Sequence, residues 1–291
     1  MKYSNKYNLP EAVYNAICRD EYTKGDGDYS VTEILNPPQQ VQLIRRHSDK
    51  LTEDVMDNVW SLFGKAAHHI LEQHGADDAI TEERMYVEVM GKKIGGQVDS
   101  YHAGVITDYK ITSAWTLVYG RNTEKWEQQV NCYAYIFRQN GLPVERLQVV
   151  AILRDWDKNK AKQDRTYPQT PIQIVPLNLW DEEKAFSFLN DKMQWHVQAE
   201  TLADDELALV CPCLPEETWE QPTKYAVMKE GRKTAVRVFD DIDEAQCYLD
   251  QNYIEGMYIQ QRAGKRTRCE QYCSCSAFCH QYKEYCNVSG N

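Results

Sequence analysis

No apolar run in these 291 residues approaches the roughly 20 residues that a membrane-spanning helix needs. The opening MKYSNKYNLPEAVYNAI also lacks the apolar core of a secretory signal. The expectation is therefore a cytoplasmic protein with no membrane partner. Cations are in deficit: 33 Lys and Arg stand against 44 Asp and Glu, a net charge of −11. That balance disfavours binding a polyanion over the whole surface, although a site of clustered carboxylates can keep its cations local. Internal repeats and low-complexity tracts are missing too, which argues against a solenoid or a disordered chain.

Cysteine, by contrast, is plentiful, with ten in the chain. An intracellular setting excludes a disulfide framework. Five of the ten fall in the last 23 residues, in CEQYCSCSAFCHQYKEYC, and such density points to a metal. Cys269, Cys273 and Cys279 form a compact triple that one loop can wrap around a single centre. A fourth thiolate must come from elsewhere; Cys213 is the first choice, Cys211 and Cys18 follow, and Cys275 could replace a member of the triple. Four thiolates suit an iron–sulfur cluster or Zn²⁺. Pro212-Cys213 begins like the PCxxC of zinc deaminases, but position 216 is Glu and no H-x-E accompanies it.

Hydrophobic periodicity gives the order of elements. SVTEILNPPQQ reads as a short strand or turn stopped by its Pro pair. Residues 51–74 carry Val55, Val59, Leu62, Phe63, Ala66, Ala67, Ile70 and Leu71 at helical spacing, with Gly75 as the stop. RMYVEVM, GKKIGGQVDSY and GVITDYKIT are strands, the last two joined at His102-Ala103-Gly104. Residues 122–140 align Trp126, Val130, Tyr133, Ala134 and Phe137 along one helical stripe. VERLQVVAIL is a buried strand, so the order is α-β-β-β-α-β. A polar loop over 154–171 leads to a strand in IQIVPLNL and a helix over 181–202. The texture changes near 203–222, which divides the chain into a core with an N-terminal extension, 1–202, and a second module, 203–291. In that module KYAVMKEGRKTAVRVF is a hairpin turning at Glu230-Gly231, DIDEAQCYLDQN a capped helix and MYIQQRA a strand. This ββαβ unit precedes the cysteines.

The stretch GGQVDSYHAGVITDYKIT carries two carboxylates and a lysine on a hairpin. Residues i and i+2 of a strand share a face, so Asp108 and Lys110 point the same way. A turn at His102-Ala103-Gly104 sets Asp99 across from the neighbourhood of residues 107 and 108. Converging carboxylates repel unless a cation lies between them. Mg²⁺ or Mn²⁺ fits oxygen ligands, and a lysine beside a metal-bound water makes a hydrolytic centre. A surface hairpin with one ion pair would present the same D-x-K. On the flanking helices, His68 with Glu72 and Gln129 with Tyr133 stand at i, i+4.

Taken in order, Gly64-x3-His68, Asp99, Asp108-Tyr109-Lys110 and Gln129-x3-Tyr133 resemble the motifs of the PD-(D/E)XK nuclease superfamily, in its RecB-like branch. The resemblance spans about residues 29–155 on that family's α-β-β-β-α-β core. Val98 stands where the family name has Pro. The mix of motifs looks most like a bacteriophage-encoded nuclease, which would place the protein in the host cytoplasm. The resemblance implies that His68, Asp99, Asp108 and the Tyr109 carbonyl hold Mg²⁺ or Mn²⁺. It implies that Lys110 orients or deprotonates the attacking water, that Gln129 and Tyr133 steady the lysine or touch a phosphate, and that Glu72 acts through a water. Iron–sulfur members of this branch hold a 4Fe-4S cluster on four cysteines, three of them near the C-terminus. Their first cysteine usually precedes the nuclease core, whereas Cys213 follows it here.

The function so implied is a metal-dependent deoxyribonuclease, an exonuclease of phage DNA recombination or processing, with DNA and a recombination or replication protein as partners. A structure- or site-specific endonuclease and a non-cutting DNA-end-binding protein are the alternatives on the same fold. Arg262, Lys265, Arg266 and Arg268, with the hairpin cations Lys224, Lys229, Arg232, Lys233 and Arg237, are the expected DNA-tracking surface.

Overall fold

The strand Val105–Thr112 organises the first part of the chain. In a computed structural model of the protein, which describes residues 2–18 and 25–289, this strand pairs antiparallel with Ser100–His102 and in parallel with Arg146–Leu153. Parallel neighbours require a crossover, and the helices Ala114–Val118 and Thr123–Gln139 supply it. Ile172–Leu177 then adds antiparallel to complete a four-stranded sheet. A second sheet runs Tyr29–Ser30, Lys92–Gln97, Arg84–Val89. The fold is thus mixed α/β; where α-β-β-β-α-β was expected, the order from the helix Val59–Gln73 to the strand Arg146–Leu153 is α-β-β-β-β-α-α-β.

The chain divides into two units, Met1–Asn36 with Thr52–Glu200, and Pro37–Leu51 with Thr201–Asn291. The expected division placed residues 37–51 in the core; they belong instead to the C-terminal unit.

Several local expectations change, each for a physical reason. SVTEILNPPQQ is helical rather than strand or turn. Ser30 and Glu33 form a reciprocal capping box that starts Val31–Ile34. Pro38 occupies the first turn of Pro38–His47, where a missing N–H costs nothing. The helix expected over 51–74 starts only at Val59. Before it, Thr52–Asp54 pairs in parallel with Lys2–Ser4, and the Asp54 carboxylate takes Ser4 Oγ at 2.7 Å, Lys6 N at 3.0 Å and Met56 N at 3.1 Å. These bonds hold the Asp54 carboxyl below the usual carboxylate range. The polar stretch 154–171 holds a short helix, Lys158–Gln163, capped by Asp157; with only Ala161 buried, it has no apolar stripe to betray it.

The helix Thr123–Gln139 carries the core of the first unit. Trp126, Val130, Tyr133, Ala134 and Phe137 are all buried, against strands of both sheets. Burying each large apolar side chain contributes about 1.5–3 kcal/mol. In the C-terminal unit, Lys224–Lys229 lies between Arg237–Phe239 and Met257–Arg262 in an antiparallel sheet. Helix Ile242–Asn252, capped by Asp241, covers it around Val227, Ala245 and Met257. The expected ββαβ unit is present.

Close packing at one glycine ties the sheet to the functional residues. A Cβ at Gly96 would meet Ile136 Cδ1 at 2.8 Å and Tyr133 Cδ1 at 3.0 Å. Gly96→Ala is therefore expected to destabilise the protein by about 1–3 kcal/mol and to displace the Tyr133 ring. Thermal melting and the tyrosine resonances check both.

Candidate functional site

A two-residue turn fixes the geometry. Ala103 and Gly104 both take positive φ, +46° and +77°, the backbone that lets adjacent strands turn tightly. The resulting register pairs Ser100 with Thr107 and Tyr101 with Ile106. The expected second strand breaks at Val98-Asp99, between Lys92–Gln97 and Ser100–His102. The break frees Asp99 from the ladder, and its Oδ2 accepts the Tyr109 N–H at 2.6 Å.

His68 comes from the helix Val59–Gln73. Its Nδ1 is 3.2 Å from Asp99 Oδ1, and its Nε2 is 3.0 Å from the Tyr109 carbonyl oxygen. Asp108 shares the buried face of its strand with Ile106. Lys110 Nζ lies 2.7 Å from Asp108 Oδ2, an oxygen to which no other group among the described residues bonds. Gln129 Nε2 donates to Tyr133 Oη at 2.8 Å, one helical turn apart. His68, Asp99, Asp108, Lys110, Gln129 and Tyr133 line one cavity of about 200 Å³.

Two placements differ from expectation. Glu72 is exposed and does not line the cavity, although its charge still acts on Glu82. Glu82 lines the cavity instead, with Oε1 3.9 Å from His68 Nδ1. Glu82 has a positive φ of 52°, and Gln97 Nε2 donates to its other oxygen. Only its position just ahead of a strand could have hinted at it, and Glu83 shares that position.

The electrostatics follow from crowding. The bond to Asp99 pushes the His68 imidazole up, against desolvation. A protonated ring donates from both nitrogens, to Asp99 and to the Tyr109 carbonyl. Burial and then Asp99 push Glu82 up. Burial pushes Asp108 up to about 6, against the pull of Lys110. Burial and the Asp108 charge push the Tyr133 phenol up. One ligand atom each of His68, Glu82 and Asp99 lies within 4.8 Å of the others. An imidazole with two carboxylates is a donor set suited to Mn²⁺ or Mg²⁺.

The C-terminal unit builds a separate pocket of about 20 Å³, lined by Cys213, Cys269, Cys273, Cys275 and Cys279 together with Gln39 and Gln40. Cys275 Sγ is 3.5 Å from Cys273 Sγ. Cys211 is buried but not in the pocket, and Cys18 ends the helix Glu11–Cys18 of the other unit. Burial pushes Cys213, Cys269 and Cys279 up, Cys269 to about 11. The bond to Cys275 lowers Cys273 to about 7. Gln39 is fully buried; its Oε1 faces Cys213 Sγ at 3.5 Å and Cys279 Sγ at 3.7 Å, and its Nε2 has no partner among the described residues. A half-turn about the Cγ–Cδ bond exchanges the oxygen and nitrogen of this carboxamide. Reversed, the same amide would aim an N–H at both sulfurs, which thiolates would accept.

Of the four expected DNA-tracking cations just before the cysteine triple, Arg266 and Arg268 are engaged within their own unit. Arg266 pairs with Glu220 at 2.9 Å and lies 4.6 Å over the Tyr285 ring. Arg268 donates to Gln40 Oε1 at 2.8 Å and to the Glu217 carbonyl at 3.1 Å. Arg262 and Lys265 are exposed. Of the hairpin cations, Lys224 pairs with Asp240 and Arg237 covers the Phe239 and Tyr248 rings.

No protein-family model matches the chain, and no curated protein matches it in sequence. Among solved structures, SSO0001 is similar at 17% identity and a TM-score of 0.38, over 62% of this chain and 81% of that one. A protein of Eubacterium rectale named "Putative exonuclease" is similar at 14% identity and a TM-score of 0.31, over 55% and 60%. At these scores neither likeness defines the fold.

Asp108 makes a stability test. Its folded carboxyl binds a proton more tightly than the unfolded one, so stability falls as pH rises from the unfolded value toward about 6 and stays lower above it. With divalent cations chelated, Asp108→Asn is expected to melt higher than the wild type at pH 7, by up to about 3 kcal/mol. The gain should vanish below about pH 4, and differential scanning calorimetry across that range checks the sign.

Proposed function

We propose that the protein is a metal-dependent deoxyribonuclease that hydrolyses phosphodiester bonds, acting as an exonuclease in phage DNA recombination or processing. The observation that carries this reading is the convergence of His68, Glu82 and Asp99 ligand atoms in the same cavity as the Asp108–Lys110 pair. A hydrolase of a phosphate anion needs a cation at the phosphate and a base at the water, and this cavity offers the residues for both.

His68, Glu82 and Asp99 would hold Mg²⁺ or Mn²⁺, joined by Asp108 and the Tyr109 carbonyl. When bound, the cation would offset the charge that builds on the phosphate and acidify a water. Asp99 also fixes the strand, because it accepts the Tyr109 N–H. Lys110 Nζ, steered by Asp108, would orient the attacking water or take its proton. Gln129 and Tyr133 hold each other and close that side of the cavity, where they can donate to a phosphate oxygen.

The test is cleavage with Mg²⁺ or Mn²⁺ on linear and covalently closed DNA. Linear DNA should be degraded and closed circles spared; rapid nicking of circles would favour the endonuclease reading. Asp99→Ala and Asp108→Ala should each lower the rate by roughly 100-fold or more, and Lys110→Ala by roughly 100- to 1,000-fold, as loss of a general base does. Wild-type rates from Asp108→Ala would overturn the assignment. Glu82→Gln should weaken Mn²⁺ binding in calorimetry.

The cysteine pocket would hold a second metal centre, a 4Fe-4S cluster with structural Zn²⁺ as the alternative. Cys213, Cys269, Cys273 and Cys279 would be the ligands. Support comes from chemistry: buried thiols that resist ionisation become thiolates when a cation compensates them. The orphaned Gln39 amide then gains sulfur acceptors. Such a centre would act mainly as a staple of its unit. Protein purified without oxygen should be brown and contain iron and sulfide. Zinc without iron would assign a structural zinc site, and neither metal would refute the centre.

A further inference from the structure

The parallel strands Val105–Thr112 and Arg146–Leu153 end side by side, because the Arg154 N–H donates to the Thr112 carbonyl at 3.0 Å. Large aromatic rings are exposed at this edge: Trp60 by 58%, Phe63 by 53%, Trp115 by 38% and Tyr119 by 61%. Trp60 and Phe63 lie 5.7 Å apart, and the Arg154 guanidinium sits 4.4 Å over Trp60. Trp115 stacks on Tyr119 at 5.7 Å and 21°. Lys160 lies 4.8 Å over Trp115, and Arg121 lies 5.0 Å over Tyr119.

Acids in the same stretch are otherwise occupied. Asp155 accepts from Ser113 Oγ at 2.5 Å and from Ala114 N at 2.6 Å. Asp157 caps the helix that carries Lys160. Asp155 and Asp157 act on Arg154 and Lys160 through their charge, but their oxygens are bonded to Ser113, Ala114 and the helix start, so the cations stay exposed beside flat rings that water covers poorly. Isolated exposed aromatics are ordinary. Four of them, paired and accompanied by three cations, are an unusual surface for a chain of net charge −11.

The position relative to the cavity gives the face a use. Thr112 is two residues beyond Lys110, about 7 Å along a strand. Trp60 is eight residues before His68 on one helix, about 12 Å along its axis. A chain of nucleotides leaving the cavity in this direction would meet phosphate-binding cations and base-sized rings within a few steps. Paired bases hide their faces inside the duplex, and unpaired bases can stack on aromatic side chains.

We propose that Trp60, Phe63, Trp115 and Tyr119, with Arg154 and Lys160, form a stacking face for unpaired nucleotides, so that the substrate presented to the cavity is a single-stranded DNA end. The substrate assignment rests on the nuclease reading; the binding face does not. A protein partner is the poorer fit, because its own acids would have to match cations placed at ring faces.

The test measures binding of full-length protein to a fluorescein-labelled oligothymidine and to a duplex of the same length, with divalent cations chelated. Trp60→Ala and Tyr119→Ala should each weaken single-strand binding by roughly 5- to 100-fold and duplex binding far less, with melting unchanged. Trp60→Phe should keep most of the affinity. Arg154→Gln should weaken binding and reduce the salt slope by about 1. Unchanged single-strand affinity in folded Trp60→Ala and Tyr119→Ala overturns the proposal. So does a wild-type dimer that Trp60→Ala converts to a monomer, since the face would then cover a second copy. Cleavage is scored separately with Mn²⁺. A wild type that cuts DNA while the alanine variants bind normally leaves the nuclease reading standing and removes the face. A wild type that binds single strands through these rings and never cuts does the reverse.

Discussion

The backbone of one residue, Tyr109, holds the candidate site together. The Tyr109 N–H is taken by Asp99 at 2.6 Å, and the Tyr109 carbonyl faces His68 Nε2 at 3.0 Å. His68 in turn stands 3.2 Å from Asp99. A helix, a strand break and a central strand are thereby joined by three short polar contacts. Because Asp108 and Lys110 flank Tyr109 on the same strand, locking this backbone also sets their positions. Loss of the Asp99 carboxylate would release both ends of the arrangement.

The site is costly to the fold that carries it. Asp108 is buried on the face that also carries Ile106, and Lys110 offsets only part of its desolvation. Glu82 and Asp99 raise one another's cost, while His68 relieves it by accepting a proton. Uncompensated charge of this kind does not arise from packing. Perturbed groups converging in one cavity are what functional sites use. The buried helix Thr123–Gln139 supplies the stability against which the cost is set.

The C-terminal unit meets a related constraint with different atoms. Four of its five pocket cysteines, Cys213, Cys269, Cys275 and Cys279, are held too far from water to ionise freely, while the bond to Cys275 lowers Cys273. Gln39 and Gln40, from a helix distant in sequence, line the same pocket. That is the physical reason residues 37–51 belong to this unit and not to the first. A short helix supplies polar atoms to thiols that the cysteine-rich segment alone would leave bare.

Much of this was legible from residue order. Alternation and helical stripes determined most strands and helices of the first unit, the ββαβ unit and the shared face of Asp108 and Lys110, because side-chain period is a local property of the backbone. The spacing of Cys269, Cys273 and Cys279, with the earlier Cys213, pointed to four of the five thiols that line one pocket. Capping determined what apolar pattern could not: Ser30 with Glu33 and Pro38 at a helix start turned an expected strand into helix. Tertiary structure alone decided that Glu82 stands beside His68 and Asp99 while Glu72 is exposed, and that Arg266 and Arg268 are engaged in internal contacts. It alone gathered Trp60, Trp115 and Arg154 at one sheet edge. Those outcomes depend on distances between segments far apart in sequence, and such distances are set only when the strands pair and the helices pack.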